Sequence, residues 1–293
     1  MELFLISPSV TLDPATFPDL ESLKTFSEFG NEPVSLLPFQ REGRLDLSSL
    51  SVLSENRVRL LCLSHVNNEL GTVNDPLNII SALARESPQT KLFLDGVQAI
   101  GKIKLDPEIW KGLAGYSISG HKIHGPKGIG LLVYNSNLVL NPQMHGGKQQ
   151  LGVRSGTLAL PLIVGLEMAI KQAVSQTHQT QTHLRGLYDH LVQGLKDMEE
   201  RINELKIKFN SLLNADEMSQ SPGIINFSFP PVEGEVILHH LEAKDIYVGL
   251  GSACSAHSKE PSKILMGIGL SEDQARCSLR ISFSRNNSVE EID

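Results

Sequence analysis

The sequence has too few cysteines for a disulfide-stabilised protein. Only three of its 293 residues are cysteine, at positions Cys62, Cys254 and Cys277. An odd number of cysteines cannot all pair within one chain, and a chain of this length can bury a core without disulfides. We therefore expect a reducing compartment, the cytoplasm.

Long apolar runs and an excess of positive charge are also missing. The longest apolar stretch, 158–166, contains Pro161 and Gly165 and is far shorter than the ~18–20 residues of a membrane-spanning helix. The first residues, MELFLISPSV, lack the basic segment that opens a signal peptide. With 26 basic and 33 acidic residues the formal net charge is −7, which argues against nucleic acid or a membrane surface as a partner.

The first half of the sequence alternates short apolar runs with helical patterns. Residues 58–63, 91–94, 116–119 and 130–134 are predicted strands, and Asp75-Pro76 supplies the cap and first-turn proline of a helix over 77–85. Strands that alternate with helices indicate a mostly parallel sheet with helices on both faces, which is the α/β class. We assign residues 1–157 to this larger domain.

The second half, 158–293, has a different pattern. A helical pattern, divided into two helices, runs from 158 to about 206 and leads out of the larger domain. We then predict strands over 224–229, 247–250 and 279–284, and helices over 233–242, 261–266 and 271–277, the last one capped by Ser271. This mixture predicts a smaller C-terminal α+β domain.

Two charged residues follow predicted strands, where the ligand sites of α/β proteins form. Lys122 lies in the segment 119–128, rich in glycine, where a lysine can form a Schiff base with a carbonyl group or can simply be a surface residue. Asp95 ends the strand 91–94, and a buried carboxylate needs a cationic partner such as a protonated pyridine nitrogen. Alternatively, Asp95 caps a helix. Gln98, three residues later, could donate to a ring oxygen.

Three more segments carry candidate binding residues, each with an ordinary structural alternative. Asn67 and Asn68 could orient a ring or a carboxylate, or form a turn. The segment 154–157, which ends at Thr157, could bind a phosphate at a helix N-terminus, or cap that helix. Arg280, on the predicted last strand, suits a carboxylate or phosphate ligand, or a structural salt bridge.

Cys254 is the remaining chemical signal. It lies among small, flexible residues in GLGSACSAHS, 249–258, which favours a mobile, exposed thiol. Cys62, in a strand, and Cys277, on a short helix, are predicted to be buried. Together with His257, Cys254 makes half a zinc site at most, so no metal is expected.

Taken in order, these segments resemble the cysteine desulfurases, which belong to the class V aminotransferase family of pyridoxal-phosphate enzymes. The matching stretches are HVNNELG (65–71), LDGVQAIGKI (94–103), SGHKIHGPKGIG (119–130), MHGGKQQLGVRSGT (144–157), GSACSAHSKEPSKIL (251–265) and LRISFS (279–284). The resemblance extends from about residue 58 to the end of the chain. It implies the fold type I architecture of pyridoxal-phosphate enzymes.

The resemblance implies how the larger domain would hold pyridoxal 5'-phosphate. Lys122 would form the Schiff base and shuttle protons, Asp95 would pair with the pyridinium nitrogen, and Gln98 would contact the phenolic oxygen. Ser119 and His121 would bind the phosphate. His121 is counted with Lys122 among the catalytic residues.

The resemblance also implies a substrate site and partners. Asn68 would contact the cofactor and, with Arg280, orient the carboxylate of L-cysteine. Cys254, the third catalytic residue, would accept the sulfur as a persulfide, leaving L-alanine, and pass it to an acceptor protein or scaffold for iron–sulfur cluster or thio-cofactor assembly. Thr157 would reach the phosphate of the neighbouring subunit, which implies a homodimer.

The sequence departs from the family at both ends. The family's Ser-Gly-Ala-Thr-Glu-type phosphate loop has no match, Ser7 stands where the family places a histidine over the ring, and the chain stops where the family continues into a helix. We therefore expect weak cofactor binding and weak or absent desulfurase activity from this chain alone. The alternatives are a catalytically impaired binding or scaffold protein, and a selenocysteine lyase or cysteine sulfinate desulfinase.

Overall fold

A six-stranded, mostly parallel sheet forms the first part of the protein. The computed structural model describes residues 10–12, 34–55, 58–142, 144–213, 215–216, 218–251 and 261–293. The strands are β1 (Val10–Leu12), β2 (Val34–Leu36), β3 (Leu60–Ser64), β4 (Lys91–Asp95), β5 (Leu113–Ser119) and β6 (Gly130–Tyr134), in the order β2-β1-β3-β4-β5-β6. Every pair is parallel except β5 with β6. The predicted α/β class and its mostly parallel sheet are confirmed.

Both faces of the central strands are covered. Successive side chains of a strand point to opposite faces. In β5 all seven residues are buried, and in β3 the last four are. The helices α1 (Ser51–Glu55), α2 (Pro76–Glu86), α3 (Ile109–Gly112) and α4 (Leu160–Ser175) belong to this part of the chain. Ile79 and Leu83 from α2, and Leu166 and Ala169 from α4, join the core that the strands form.

The helix α2 begins as the sequence predicts. Asp75 caps it by accepting hydrogen bonds from the backbone N–H groups of Leu77, at 3.0 Å, and Asn78, at 3.3 Å. Pro76 occupies the first turn, where its missing N–H group is not needed.

The second part of the chain is built on a three-stranded antiparallel sheet. Its strands are β7 (Lys208–Phe209), β8 (Ile224–Ser228) and β9 (Ser278–Ser282), and its helices are α5 (Thr177–Arg201), α6 (Gly234–Glu242), α7 (Lys263–Gly267) and α8 (Glu272–Arg276). Tyr188 of α5 and Phe227 of β8 are among the largest buried side chains of its core. The long helical pattern is confirmed as two helices, α4 and α5, which contribute to the two different cores.

Two details of this part differ from the sequence predictions. The predicted strand over 247–250 is wrong, because a single bridge, between Gly249 and Arg280, pairs this segment with β9. The predicted helix over 261–266 begins two residues later, because Ser262 is its cap and accepts from the Leu265 N–H group. The predicted cap at Ser271 is confirmed.

The two described cysteines are buried, as predicted. Cys62 is 1% exposed and Cys277 is 5% exposed, and burial raises the pKa of both thiols. In the described part of the chain, no helix is long and apolar enough to cross a bilayer.

Tyr116 on β5 contacts the residues that follow β3 and β4. Its hydroxyl lies 2.9 Å from Nδ1 of His65, the residue that follows β3. Its ring packs so closely on Gly96, the residue that follows β4, that a Cβ at this position would lie 1.8 Å from Tyr116 Cε1. Gly96 therefore has to be glycine for Tyr116 to stay in place.

We predict that Gly96→Ala destabilises the protein by about 1–3 kcal/mol, the usual range for overpacking a core. Gly194→Ala is the matched control, because a Cβ at Gly194 in α5 meets nothing within 4 Å. Alanine should stabilise this helix by up to ~1 kcal/mol. Urea unfolding of both variants tests the prediction, which equal stability of Gly96→Ala and the unaltered protein would contradict.

His65 should make stability depend on pH. Burial lowers the pKa of His65 from its usual 6.5 to about 4, so between these values the unfolded chain binds a proton that the folded chain does not. This contribution to stability is complete above pH 6.5 and lost as the pH falls toward 4, by about 3 kcal/mol.

The measurement is urea unfolding at several pH values between 4 and 7. His65→Gln should flatten the decline, whereas His178→Gln, at an exposed histidine on α5, should leave it unchanged. A His65→Gln variant with the same decline as the unaltered protein would show that His65 is not the group responsible.

Candidate active site

The parallel strands β3, β4 and β5 bring three predicted segments to one edge of the sheet. The register aligns Ser64, Asp95 and Ser117 in one row. The backbone ladder continues past the strands, since the N–H groups of His65 and Gly96 donate to Asp95 O and Ser117 O, each at 2.9 Å. The segments after these strands, which carry the predicted residues 68, 98, 121 and 122, therefore start from the same edge, where Ser119 ends β5.

Asp95 is a largely buried carboxylate at the centre of this row. Its Oδ1 accepts from the Val97 N–H group and the Ser117 hydroxyl, both at 3.0 Å. Burial raises the pKa of Asp95, and these two hydrogen bonds oppose the rise. Among the described residues no cation forms an ion pair with it, and the chain after it makes turns, so the helix-cap alternative does not apply. A protonated ring nitrogen would supply the missing cation.

Gln98 has a neighbour that our sequence analysis missed. The ammonium Nζ of Lys102 donates to Gln98 Oε1 at 2.5 Å. Burial, and then the charges of Lys122 and Arg280, lower the pKa of Lys102 to about 8. One sequence signal could have identified Lys102 as a site residue. It lies in the matching stretch LDGVQAIGKI, followed by Ile103. Lys102 therefore belongs to the same cationic cluster as Lys122 and Arg280.

The turn after β5 holds three predicted residues. Ser119 ends the strand and is buried, and its hydroxyl lies 2.9 Å from His121 Nδ1. The short 3-10 helix Gly120–Ile123 then carries Lys122, whose side chain is exposed. Burial, and then the charge of Lys122, lower the pKa of His121. The hydroxyl of Ser119, the imidazole of His121 and the ammonium group of Lys122 thus lie within a segment of four residues, and all three can bind an anion.

Arg280 of β9 reaches the backbone of Asn68. Its Nη1 donates to the Asn68 backbone O at 3.2 Å. Arg280 Nε and Asn68 Oδ1 are both buried and have no hydrogen-bond partner among the described residues. Burial lowers the pKa of Arg280, and the carboxylate of Glu69 opposes this. The structure thus leaves one guanidinium N–H and one amide oxygen without partners, and a ligand with both acceptor and donor groups would satisfy them.

Glu69 lies close to described residues on both sides of the segment 252–260. The hydroxyl of Ser262 donates to Glu69 Oε2 at 2.6 Å, and a Cβ at Gly251 would lie 3.4 Å from the same oxygen. Residues on either side of 252–260 therefore meet at Glu69. Cys254 itself, like Ser7, lies outside the described residues.

Thr157 is not brought to this site by contacts within the described chain. It is exposed and precedes α4 by three residues, so it does not begin the helix as predicted. Its neighbour Ser155 is held by hydrogen bonds from its hydroxyl to the backbone oxygens of Met144, at 2.9 Å, and Gly147, at 3.0 Å. The predicted contact of Thr157 with a neighbouring subunit stays a prediction.

These observations together test whether the site fits pyridoxal phosphate, and it does. The cationic cluster of Lys102, Lys122 and Arg280 in a chain of net charge −7 suits a phosphate and a carboxylate. The buried Asp95 without a described cationic partner suits a protonated pyridine ring. The unsatisfied polar atoms of Asn68 and Arg280 provide further donor and acceptor groups for a ligand.

Comparisons with known proteins show what the chain is similar to. The chain is 38% identical over 276 residues to the cysteine desulfurase IscS of Klebsiella pneumoniae, covering 94% of this chain and 64% of that protein. Among solved structures, a NifS-like protein superposes with a TM-score of 0.83 at 27% identity, covering 97% of this chain and 72% of its own. The structure of SspA in complex with cysteine superposes with a TM-score of 0.70 at 29% identity, and the match covers 94% of this chain and 73% of that chain.

The chain thus spans just under two thirds of the length of the curated relatives that it matches. The model of the aminotransferase class-V family matches residues 20–293, a range that contains every candidate residue of the site. This protein is therefore a member of the class-V aminotransferase family.

Proposed function

We propose that this chain is a pyridoxal-phosphate-dependent cysteine desulfurase. The observation that carries the proposal is the placement of Asp95, Lys122 and Arg280 around one edge of the sheet. Asp95 is buried without a described cationic partner, and the charges of Lys122 and Arg280 both act on Lys102. A complex of pyridoxal phosphate with an amino acid has a ring cation that can pair with Asp95. It also has anionic phosphate and carboxylate groups that can pair with Lys122 and Arg280.

The chain's own residues supply part of the contacts that pyridoxal phosphate needs, because the family's phosphate loop has no match in this sequence. When bound, pyridoxal phosphate serves as an electron sink for the substrate's α-carbon. Asp95 keeps the ring nitrogen protonated, and Gln98 donates to the phenolic oxygen. Ser119 and His121 donate to the phosphate, and Lys122 holds the cofactor covalently and moves the proton of the α-carbon.

L-cysteine is the substrate we assign. Arg280 binds its carboxylate, and Asn68 orients it beside the arginine. Support comes from the unsatisfied Arg280 Nε, whose N–H can donate to the carboxylate, and from the unsatisfied Asn68 Oδ1, which can accept from the substrate's ammonium group. Both groups are buried, so water competes little for the carboxylate. The similarity to named cysteine desulfurases and to a protein solved with cysteine also supports the assignment.

Cys254 is the sulfur acceptor in this proposal. Its thiolate attacks the sulfur of L-cysteine, a sulfur–sulfur bond forms, and the bond from this sulfur to the β-carbon breaks. The β-carbon gains a proton, so the products are L-alanine and a persulfide on Cys254. The persulfide then passes its outer sulfur to an acceptor protein or scaffold for iron–sulfur cluster or thio-cofactor assembly.

The proposal includes a homodimer and a reducing compartment. Thr157 is exposed, as a residue that binds the phosphate of a neighbouring subunit has to be. On α4, the helix that follows it, Leu160 and Met168 are 65% and 61% exposed, which leaves apolar surface for a second copy of the chain. Cys62 and Cys277 are free thiols, in keeping with the cytoplasm.

We predict that Lys122→Ala abolishes covalent trapping of pyridoxal phosphate by borohydride. The reduced, trapped cofactor in the unaltered protein should map by mass spectrometry to Lys122. Lys127→Ala, at an exposed lysine of the same segment, should still be labelled. An adduct on Lys127 or Lys102 in the unaltered protein would show that the assignment is wrong.

A second prediction concerns Cys254. Because Cys62 and Cys277 are buried, brief alkylation of the native protein should label Cys254 first. Cys254→Ser should lower sulfide release from L-cysteine by roughly 100-fold or more, as removal of a nucleophile usually does. Cys277→Ala is the control and should keep the activity. Unchanged sulfide release by Cys254→Ser would rule Cys254 out as the acceptor.

A further inference from the structure

The geometry points to Lys102 as a positioning residue that fixes which end of the Gln98 amide faces the cofactor. The contact is the hydrogen bond from Lys102 Nζ to Gln98 Oε1 at 2.5 Å. The inference rests on the proposed function, because Lys102 would act on the cofactor only by orienting Gln98.

An ammonium group has three donors and no acceptor, whereas a glutamine amide has an oxygen that accepts and a nitrogen that donates twice. Gln98 must therefore turn its oxygen to Lys102. The nitrogen is then left to donate elsewhere. Without Lys102 nothing among the hydrogen bonds of the described residues would select one end of the Gln98 amide over the other.

The path of the Lys102 side chain is fixed by both parts of the fold. Its backbone N–H donates to Ala99 O at 3.0 Å in the turn after β4. The preceding Gly101 has φ +74°, and a Cβ there would lie 2.8 Å from Ala173 Cβ of α4. The aliphatic stem runs past Gly223, where a Cβ would lie 3.6 Å from Lys102 Cδ. The ammonium thus reaches Gln98 along a packed route rather than from solvent.

Lys102 also lies in the electrostatic field of the site. Lys122 and Arg280 act on its charge, and Lys102 with Arg285 acts on His124. The charged groups that act on Lys102 are therefore Lys122, from the turn after β5, and Arg280, from β9. A lysine buried among cations is an expensive arrangement, which an alanine or a methionine would avoid. Orientation of Gln98 supplies a reason for its presence here.

The consequence concerns the cofactor's link to Lys122. A donor from Gln98 to the phenolic oxygen withdraws electron density, and this lowers the pKa of the protonated link. Lys102→Met keeps the aliphatic stem but leaves the amide free to turn. We expect the pKa of the link, read from the visible absorbance of the bound cofactor, to rise by about one pH unit, the equivalent of one hydrogen bond to a charged group.

Loss of a nearby positive charge would also raise this pKa, so the experiment is a double-mutant cycle with Gln98→Ala. If Lys102 acts through Gln98, Lys102→Met should shift the pKa much less when residue 98 is alanine. Lys102→Arg, which keeps a donor, should restore most of the unaltered value. Lys104→Met is the matched control, at an exposed lysine two residues away, and should shift nothing. Equal shifts with glutamine and with alanine at position 98 would overturn the proposal.

A second readout needs no cofactor. In the cofactor-free chain the side-chain amide NMR signal of Gln98 should move in Lys102→Met and stay in place in Lys104→Met. An unmoved signal in Lys102→Met would overturn the proposal. Borohydride trapping on Lys122 in the unaltered protein reports on the proposed function separately, so failure of the function and failure of the positioning role give different results.

Discussion

The backbone hydrogen bonds between β3, β4 and β5 determine where the chemistry can occur. Because the three strands are parallel and in register, Ser64, Asp95 and Ser117 form one row, and the chain leaves every strand at the same edge. The bonds from His65 N–H to Asp95 O and from Gly96 N–H to Ser117 O extend this order beyond the strands. Tyr116 then closes on Gly96, a contact that only a glycine permits. The site residues depend on this edge for their positions.

Burial of charged side chains at this edge makes the electrostatics of the site unfavourable. The carboxylate of Asp95 has lost water without gaining a described cation, while Lys102, Lys122 and Arg280 bring like charges together. Each of these terms disfavours the folded state of the cofactor-free chain. A ligand that neutralises both sets of charges relieves them, and a ligand that binds only the folded state stabilises it further. In the proposed function, cofactor binding and folding stability are therefore coupled through the same side chains.

Sequence patterns predicted the parts of the fold that local chemistry specifies. Asp75-Pro76 marks the start of α2, and Asp95 and Lys122 were identified as chemical candidates because they follow strands. The strands β1 and β2 were missed, because three residues each are too few for a periodic pattern to be visible. Lys102 was missed for another reason. Its partner Gln98 is four residues away, which is the spacing of helical neighbours, but the segment forms turns and was not predicted as a helix, so the spacing was not used.

The proposed substrate half of the site depends on contact between the two parts of the chain. Ser211 Oγ and Gln220 Nε2 donate to Leu70 O at 2.6 and 2.8 Å, and the Ser221 N–H group donates to Gly71 O at 2.8 Å. These buried bonds seat the smaller sheet on the segment that follows β3, which carries Asn68. Since Arg280 lies on that smaller sheet, its distance to Asn68 is set by this contact and not by the larger sheet alone. Any change that loosens the contact should weaken recognition of the carboxylate before it disturbs Asp95 or Lys122.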